Sequence, residues 1–546
     1  MIEAALRLHG TPACTGLARG PLYILDSDPT QGGAPMSAPS RPDSAQPHDT
    51  NRESQSLRRA LTEASAGLVE LRGATSANDA RSIVEFQLAM LDDEVLSAPA
   101  FALIEHGVQA VAAWRIAMNA HLEDYATGGE YFRARAADVR DLRDRVLRGL
   151  SGVALANVPS GSIVVADDLP PSRFLEIPWV GGGIALFEGS ATSHVAMLAR
   201  ARGIPMIVDV ARAHLGSPGD ALLDAENGVL IVSPDAESVA RFERRQRARA
   251  TARAKDRTYL EAPAFTSTGE RVLVQLNVAE RGELDSIEPE HCDGIGLVRT
   301  EFTLRTLTAL RDEQRQYARY AEIVRWAKGR PVTFRTLDAG ADKPIAGYTL
   351  EAETNAYLGV RGVRLSLLHP DILATQLRAL ARAAALGPVK IMVPMVTQPF
   401  ELEAVRVSLD TSVRALRDAG IACGNPQLGM MVEVPAAALT LDLFDADFFS
   451  IGSNDLIPFL TASRRDRDRL PTLTDPLQPA VLRIVAAIVA QARSRDVEVS
   501  LCGDMASEGR YLPAILHAGV RTISVAPAAL AGVKATLARL RASAGG

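Results

Sequence analysis

Between residues 53 and 150, apolar positions recur every three or four residues and the intervening positions are polar. The pattern is clearest in two segments, RSIVEFQLAMLDDEVL and AADVRDLRDRVLRGL. Such spacing places the apolar side chains on one face of an α-helix. Because these segments contain little glycine or proline, the pattern predicts an all-helical subdomain of roughly four helices.

Short β-rich runs lie on both sides of this helical segment. GPLYIL, at 20–25, precedes it, and SIVVADDLPPS, WVGGGIALFEG, IPMIVDV and NGVLIVSP follow it. Glycines and helical pieces separate the later runs, which indicates a small α/β domain to which the first strand returns. We therefore expect residues 1–25 and 151–235 to form one domain, interrupted by a helical subdomain over 26–150. The part at 26–50 is rich in proline, glycine and serine and is predicted to be a flexible loop.

A basic, proline-free segment at 236–261 predicts a helix that connects this domain to the rest of the chain. Beyond it, over 262–546, a strand-like run followed by a helical pattern repeats. The runs are RVLVQLNV, GIGLVRTE, PVTFRTLDAG, YLGVRGVRL, VKIMVPMV, LGMMVEVP, DFFSIGSNDL and EVSLCGDMA. Eight such units in 285 residues fit a (β/α)8 TIM barrel, which typically needs about 250 residues. In this interpretation YLGVRGVRL is the fourth strand and EVSLCGDMA the eighth.

The composition restricts the class of protein. With 546 residues, 47% of them hydrophobic, the chain can form several buried cores, and its net charge of −6 argues against a general nucleic-acid-binding protein. The cysteines (Cys14, Cys292, Cys423 and Cys502) form no CxxC pair, which is typical of a reducing compartment. Neither a signal peptide nor an apolar run of membrane-spanning length is recognisable. A cytoplasmic protein without membrane insertion is therefore expected.

Polar and charged side chains follow most of the predicted barrel strands. In a TIM barrel the active site lies at the carboxyl ends of the strands, so these side chains should converge. The candidates are Arg299, Arg335, Asp338, Lys343, Arg361 or Arg364, Glu433, Asn454, Asp455, Arg465 and Cys502. A single strand-end arginine or carboxylate is usually part of a surface ion pair, but several that meet at one face favour a functional site.

The residue types in this set indicate one kind of ligand. Glu433 and Asp455 offer the hard oxygen ligands that Mg²⁺ prefers, with water and substrate oxygens completing an octahedron. Guanidinium groups bind phosphate and carboxylate in a bidentate manner. We therefore expect the site to bind a small phosphorylated carboxylic acid together with a metal. Cys502 is either a proton donor or a buried packing residue, since an unperturbed thiol has a pKa of about 8.5 and is mostly protonated at neutral pH.

His194 is one of nine histidines and directly follows a polar GSATS segment. Thr192 or Ser193 is a suitable N-cap, HVAMLARAR has a helical pattern, and Gly203 is a suitable stop. A histidine beside an apolar helix is more often structural. At the first turn of a helix, however, free backbone N–H groups and the positive end of the dipole would stabilise a phosphoryl group on the imidazole. His194 is therefore predicted to be a nucleophile that carries phosphate.

The segment GSATSHVAMLARARGIPMIV resembles the phosphohistidine signature of the phosphoenolpyruvate-utilising enzymes. DGIGLVRTEF, FRTLDAGADK, NAYLGVRGVRL, GMMVEVPAA, DFFSIGSNDL and LCGDMASE are similar, in this order, to the barrel motifs of the Enzyme I family of the sugar phosphotransferase system. The similarity runs almost from end to end, and YFRARAADVRDLRDRVLRGL resembles that family's helical partner-binding subdomain. So many ordered motifs make the match specific.

This resemblance implies a fold and a reaction. The fold is α/β: a swivelling phosphohistidine domain with an inserted helical bundle that binds the phosphocarrier, followed by a (β/α)8 barrel that binds phosphoenolpyruvate. His194 would accept the phosphoryl group and pass it to a histidine of a small phosphocarrier protein, and Cys502 would protonate the enolate to pyruvate. The implied substrate-binding residues are Arg299, Arg335, Asn454, Arg465, Lys343 and Arg361, and the implied Mg²⁺ ligands are Glu433 and Asp455. The family also implies a homodimer formed through the barrel.

Two other interpretations are open. Pyruvate phosphate dikinases and phosphoenolpyruvate synthases share the histidine domain and the barrel, but they need a large nucleotide-binding domain upstream. The segment before SGVALANVPSGSIVV is helical and has no phosphate-binding glycine-rich loop, which disfavours these enzymes. The second alternative is a non-catalytic regulator that retains the fold. The complete set of catalytic residues argues against it, and an assay of pyruvate release would distinguish the two.

Overall fold

The computed structural model describes most of the chain. The residues that it describes are 5–25, 49–74, 78–127, 130–152, 157–190, 193–215, 219–304, 306–340, 345, 347–350, 358–463 and 473–544. The chain divides into two compact units, Met1–Ala248 and Arg249–Gly546, called unit 1 and unit 2 below. None of the helices in these ranges combines the length and the apolar character needed to cross a bilayer.

Unit 1 contains an eight-stranded mixed sheet with the strand order β1-β8-β7-β3-β4-β5-β6-β2. Its strands are β1 Leu6–His9, β2 Thr11–Cys14, β3 Leu17–Leu25, β4 Ile163–Ala166, β5 Gly183–Leu186, β6 Met206–Val208, β7 Asp220–Asp224 and β8 Val229–Val232. The predicted first strand lies within β3, which pairs in parallel with β4, Leu22 opposite Ile163. The opening strand therefore returns to the α/β sheet, as the sequence indicated.

A helical bundle is inserted between β3 and β4. Its helices are α1 Thr50–Ala74, α2 Asn78–Asp92, α3 Glu94–Glu105, α4 Ala110–Thr127 and α5 Glu130–Ser151. They pack around a core that includes the fully buried side chains of Trp114 and Leu68. The described residues of this segment thus contain five helices rather than roughly four, because Asp93 separates two of them. The Asp93 carboxylate accepts a hydrogen bond from the N–H of Val95 and caps α3.

Three further helices follow in unit 1, α6 Pro171–Glu176, α7 His194–Arg202 and α8 Ala236–Arg257. The last of these is the predicted connector, and it runs across the boundary between the units. It is shorter than the predicted 236–261. After Arg257 the N–H groups of Thr258 and Tyr259 bond to the carbonyls of Lys255 and Asp256, three residues back, so the α-helical pattern gives way to tight turns.

Unit 2 is a closed barrel of eight parallel strands, because β10 pairs with both β11 and β17. A two-residue strand, β9 Ala264–Phe265, pairs antiparallel with β10. The barrel strands are β10 Arg271–Val278, β11 Ile295–Arg299, β12 Val332–Arg335, β13 Val389–Val393, β14 Gln427–Val432, β15 Phe448–Gly452, β16 Glu498–Cys502 and β17 Thr522–Val525. The α/β fold class with a C-terminal TIM barrel is confirmed.

Helices cover the outside of this barrel. They are α9 Leu307–Arg311, α10 Glu313–Trp326, α11 Val363–Leu368, α12 Pro370–Ala383, α13 Pro399–Asp418, α14 Pro435–Leu439, α15 Ser453–Thr461, α16 Pro479–Ser494, α17 Asp504–Ser507, α18 Leu512–His517 and α19 Leu530–Ala544. Several begin with a proline at the first helical position, where its missing N–H costs nothing.

One predicted barrel strand is wrong and one true strand was not predicted, so the fourth and eighth strands differ from the expected segments. YLGVRGVRL forms no strand over its described residues, 358–365. Gly362 there adopts φ 59°, and Val363 begins α11. The fourth strand is β13, and the eighth is β17, a TISV run that the sequence analysis missed. EVSLC is therefore the seventh strand.

Candidate active site

His194 is the first residue of α7, and the local sequence explains why the helix begins there. Ser193 is its N-cap, and the Ser193 hydroxyl accepts a hydrogen bond from the N–H of Ala196 at 3.2 Å. Gly203 ends the helix in the left-handed conformation at φ 65°. Thr192, the other suitable cap, and the His194 side chain lie outside the described residues. First-turn N–H groups lack intrahelical partners, so an anion at this position would be stabilised.

Ion pairs and a backbone hydrogen bond join the loop after β4 to the loop after β5, which leads to α7. Arg212 contacts Asp167, after β4, at 2.5 Å and Glu188, after β5, at 2.7 Å. The N–H of Glu188 donates to the carbonyl of Asp167 at 2.8 Å. Because Arg212 is exposed, its ion pairs contribute little to stability. Together with the backbone bond, they hold the two loops side by side next to the segment that precedes His194.

A network of buried ion pairs lies at the carboxyl ends of the barrel strands. Arg335 contacts Glu301 at 2.5 Å and Asp338 at 3.0 Å. Asp338 also accepts two hydrogen bonds from Arg361, from Nε at 3.2 Å and from Nη2 at 2.8 Å. Arg361 Nη1 lies 3.6 Å from Asp455. Asp338 therefore holds two guanidinium groups at once, and the contacts continue from the end of β11 to the start of α15.

The buried charges at this barrel mouth do not balance. Two guanidinium groups face four buried carboxylates, those of Glu301, Asp338, Glu433 and Asp455. Burial and the neighbouring carboxylates of Asp455 and Asp338 raise the pKa of Glu433 to about 8. The Glu433 carboxylate accepts a hydrogen bond from the N–H of Met395 at 2.8 Å, which fixes its orientation.

This excess of carboxylates fits a divalent cation. Mg²⁺ is commonly held by one or two carboxylates, with water and substrate oxygens as its other ligands. Glu433 and Asp455 provide such a pair. No group of three or more histidine, cysteine, aspartate or glutamate side chains with metal-binding geometry occurs in the described part of the chain. A metal held by Glu433 and Asp455 would take its remaining ligands from water and substrate.

Two buried N–H groups point to an anionic ligand. Arg335 Nε and Arg361 Nη1 have no hydrogen-bond partner within the described ranges, although both arginines are almost completely buried. An unsatisfied charged donor in a buried site carries a large desolvation cost. Oxygen atoms of a phosphate or carboxylate ligand would supply the missing acceptors.

Cys502 ends β16, the seventh barrel strand rather than the predicted eighth. Its thiol lies 3.5 Å from both the Ser450 hydroxyl and the Ile451 carbonyl, within an apolar cluster drawn from several barrel strands. Burial raises the pKa of the Cys502 thiol, and the Glu433 carboxylate adds to this effect. A thiol with a raised pKa is protonated at neutral pH, so it can both pack in the barrel and donate a proton.

Asn454 is placed by a close approach between two loops. Its side-chain oxygen accepts a hydrogen bond from the N–H of Asp504 at 2.9 Å. Gly503 lies between Cys502 and Asp504 with φ 106°, and a Cβ added there would be 2.3 Å from the Ser453 hydroxyl and 2.7 Å from the Asn454 side-chain oxygen. Only glycine satisfies both the backbone angle and this contact.

We therefore expect Gly503→Ala to destabilise the protein by about 1–3 kcal/mol, since the new methyl group would clash in a strained backbone conformation. The free energy of unfolding, measured in denaturant, would test this. Gly420→Ala is the matched control, because Gly420 has φ 69° with open space around its Cα. Equal losses in the two variants would show that the clash with Ser453 and Asn454 contributes nothing.

The structure brings most of the predicted site residues together. Arg335 and Arg361 both pair with Asp338, and Arg361 also lies close to Asp455. The charges of Arg299, Arg335 and Glu433 all act on the Cys502 thiol. The sequence left Arg361 and Arg364 as alternative candidates. Arg361 joins the buried network, whereas Arg364 lies outside it and donates hydrogen bonds to Gly359 and Thr397. Lys343 and Arg465 lie outside the described residues.

Two carboxylates at this site received no role from the sequence. Asp338 was recognised only as a strand-end residue, and Glu301 was not singled out. Glu301 follows β11 by two positions, as Asp338 follows β12 by three, so strand-end position was the available signal. Their pairing with arginines depends on neighbouring strands and is not visible in the sequence.

Three family models of phosphoenolpyruvate-utilising enzymes match the chain. The N-terminal model covers residues 9–135, the mobile-domain model 158–228, and the phosphoenolpyruvate-binding-domain model 253–542. The last of these alone spans more than half of the sequence.

Relatives extend this match over nearly the whole chain. A phosphoenolpyruvate-protein phosphotransferase of Haloferax volcanii is 35% identical over 84% of this chain and 81% of its own length. One from Cupriavidus necator is 33% identical over 96% of this chain and 93% of its own length. Multiphosphoryl transfer protein 1 of Escherichia coli is 30% identical over 98% of this chain and 64% of its own length.

Proposed function

As a member of the phosphoenolpyruvate-utilising enzyme family, and within it of the phosphoenolpyruvate–protein phosphotransferases, this chain is a phosphotransferase, and we propose the following course for its reaction. Phosphoenolpyruvate binds at the barrel mouth and transfers its phosphoryl group to His194. The phosphorylated His194 then transfers it to a histidine of a small phosphocarrier protein. This is the first step of the sugar phosphotransferase system.

One observation carries the proposal for the substrate site: the buried network of Arg335 and Arg361, with its unsatisfied N–H groups and its excess of carboxylates. The guanidinium groups would bind the phosphate and carboxylate of phosphoenolpyruvate. Arg299 and Asn454 border the same site, and Lys343 and Arg465 are assigned to it by the family resemblance alone. Mg²⁺, when bound by Glu433 and Asp455, would offset negative charge on the transferring group.

The reaction then has two stages, transfer of the phosphoryl group and protonation of the enolate. An imidazole nitrogen of His194 forms a bond to phosphorus, and the bond between phosphorus and the enol oxygen breaks, which leaves the electron pair on that oxygen as an enolate. The methylene carbon of the enolate takes the proton of the Cys502 thiol, which gives pyruvate and a thiolate. Covalent capture on His194 divides the overall transfer into two steps.

The role of Cys502 gives a direct prediction. Cys502→Ala should slow pyruvate formation by about 10²–10⁴-fold, the usual contribution of a positioned general acid, while phosphoenolpyruvate binding is retained. Pyruvate release and equilibrium binding of phosphoenolpyruvate would be measured separately. Cys292→Ala is a suitable control, since Cys292 is also buried and has a raised pKa but belongs to the hydrophobic core. Full turnover in Cys502→Ala would leave Cys502 as a packing residue.

A single assay tests the proposed function. The protein is incubated with phosphoenolpyruvate and Mg²⁺, with and without a histidine phosphocarrier protein, and pyruvate release and phosphorylation of both proteins are followed. We expect stoichiometric pyruvate release without the carrier and repeated turnover with it. If repeated turnover requires a nucleotide with pyrophosphate or phosphate in place of the carrier, a dikinase or a phosphoenolpyruvate synthase is favoured instead. If no pyruvate forms at all, the chain is a regulator that has retained the fold.

The two units must meet during this reaction, because phosphoryl transfer needs reacting atoms within about 3–3.5 Å. His194 belongs to unit 1, and the proposed phosphoenolpyruvate site belongs to unit 2. We therefore propose that the phosphohistidine domain swivels as a rigid body between the barrel and the phosphocarrier. The helical bundle α1–α5 is proposed to bind the carrier, as its resemblance to the family's partner-binding subdomain implies.

We also propose a cytoplasmic homodimer that forms through the barrel. All four cysteines are free thiols, as expected in a reducing compartment. Large apolar side chains are exposed on neighbouring outer segments of unit 2, namely Phe400, Val407, Leu439 and Leu443, and a second copy would cover them. Light scattering of the purified protein would decide between a monomer and a dimer.

A further inference from the structure

The side-chain amide of Gln376, on α12, is buried and fully hydrogen-bonded. Its oxygen accepts from the backbone N–H of Leu337 at 3.0 Å. Its nitrogen donates to the Thr300 hydroxyl and to the Tyr320 hydroxyl, both at 3.2 Å. Only 2% of Gln376 is exposed, so these are protein bonds in a dry environment. An amide of this kind has two donors and an acceptor, and all three are in use.

These bonds join the ends of two neighbouring barrel strands. The Thr300 hydroxyl, which accepts from Gln376, donates in turn to the carbonyl of Arg335 at 2.9 Å. Gln376 thus bonds directly to the backbone just after β12, at Leu337, and through Thr300 to the last residue of β12, Arg335. Thr300 lies between Arg299 and Glu301, and Leu337 lies between Arg335 and Asp338. The side chains of the barrel mouth therefore project from the backbone that Gln376 holds.

Through the Tyr320 hydroxyl, the hydrogen bonds of Gln376 extend into the layer of helices outside the barrel. The Tyr320 hydroxyl donates to the Gln316 side-chain oxygen at 3.0 Å, and the Gln316 amide nitrogen donates to the carbonyl of Leu310 at 2.8 Å. Tyr320 and Gln316 are on α10 and are buried. Apolar side chains are the usual occupants of the layer between a barrel and its helices. Burying a series of polar side chains here carries a desolvation cost, which their mutual hydrogen bonds offset. The series ends at Leu337, in the backbone that carries the site residues.

We propose that Gln376 is a positioning residue for phosphoryl transfer: its amide locks the ends of β11 and β12 in register so that Arg299, Arg335 and Asp338 are aligned for the reaction. This inference rests on the proposed function. Gln376 itself contacts none of these three side chains, and it acts through the Thr300 hydroxyl and the backbone N–H of Leu337.

The mechanism predicts which kinetic constant changes. Without the amide, the guanidinium charges are still present, so the attraction for phosphoenolpyruvate is largely kept and KM rises little. Alignment of the phosphoryl group with its acceptor is what is lost, and a misplacement of about 1 Å can cost about 10²-fold in rate. The effect should therefore appear mainly in kcat.

The experiment compares two leucine substitutions in the full-length protein. Gln376→Leu keeps the size of the side chain and removes all of its hydrogen bonds. We expect kcat for carrier phosphorylation to fall about 30- to 100-fold, with KM for phosphoenolpyruvate raised less than about fivefold. Gln316→Leu is the matched control. It removes a similarly buried amide from the same series of hydrogen bonds, but Gln316 bonds to neither strand end. Its kcat should stay within about threefold of the wild-type value, even where its thermal stability falls.

A second variant tests the same link from the other side. Thr300→Val is isosteric and removes only the hydroxyl that joins Gln376 to the Arg335 carbonyl, and it should lower kcat about tenfold or more. If Gln376→Leu does not fold, the kcat of Thr300→Val alone tests the inference. Equal losses of kcat in Gln376→Leu and Gln316→Leu, or a wild-type kcat in Thr300→Val, would overturn the inference. A wild-type protein that fails to react with phosphoenolpyruvate would instead refute the proposed function.

Discussion

Replacement of His194 by alanine is expected to abolish phosphorylation of the protein by phosphoenolpyruvate. The reason is that the variant has no nucleophile at the start of α7, the position where the helix N-terminus would stabilise a transferred phosphoryl group. The measurement is incubation of wild-type and variant protein with ³²P-labelled phosphoenolpyruvate and Mg²⁺. Label in the wild-type protein should be stable in base and labile in acid, as expected for a phosphoramidate.

His214→Ala is the matched control for this experiment, because His214 is an exposed histidine of the same unit. It should accept label at the wild-type rate. Both variants should also have the same far-ultraviolet circular dichroism as the wild type. Stable label in His194→Ala would place the acceptor elsewhere and remove the central assumption of the proposed reaction.

Glu433→Gln and Asp455→Asn are each expected to lower Mg²⁺-dependent phosphorylation by about a hundredfold or more. Each substitution removes one of the two proposed metal ligands, and a metal that offsets charge on a transferring phosphoryl group is worth several kcal/mol of transition-state stabilisation. Both rate and Mg²⁺ affinity should be measured, the latter by calorimetry. Glu401→Gln is the control, since Glu401 is a buried carboxylate that caps α13.

The pH dependence of Mg²⁺ binding provides a second test of the same assignment. The pKa of Glu433 is raised to about 8 in the metal-free protein, so a proton competes with the metal below that pH. Mg²⁺ affinity should therefore increase with pH and level off above about 8. This dependence should be lost in Glu433→Gln. Normal Mg²⁺ affinity in both carboxylate variants would exclude these residues as ligands.

Strand-like runs in the sequence predicted most of the barrel strands, with one false strand and one strand that was not predicted. Seven of the predicted barrel runs contain strands because apolar and β-branched residues are continuous there. YLGVRGVRL is also rich in apolar and β-branched residues, but it forms no strand in its described part. Gly362 has a positive φ and Val363 begins a helix, while Arg361 joins the buried ion-pair network. β17 is a four-residue TISV run that was not singled out in the sequence.

The site was predictable to the extent that it follows from the fold class. Strand-end position identified Arg335, Glu433 and Cys502 correctly as neighbours, because parallel strands of a barrel end on one face. The shared role of Asp338, which bonds to arginines from two different segments, depends on distances between strands. Gln376 was not predicted for a similar reason: within the amphipathic pattern of α12, nothing distinguishes a buried glutamine that bonds to other strands from one on the surface.

The position of the helical bundle bears on how such a protein changes partners during evolution. β3 and β4 are adjacent and parallel, so the sheet requires a crossover connection between them in any case. The bundle α1–α5 occupies that connection, and β-strand pairing at Leu22 and Ile163 does not depend on which helices fill it. A different helical segment could be recombined into this position without altering the strand that leads to His194. Because the bundle is proposed to bind the carrier, partner recognition and chemistry could diverge separately within one chain, and chimaeras that exchange only this crossover would test whether carrier specificity follows the bundle.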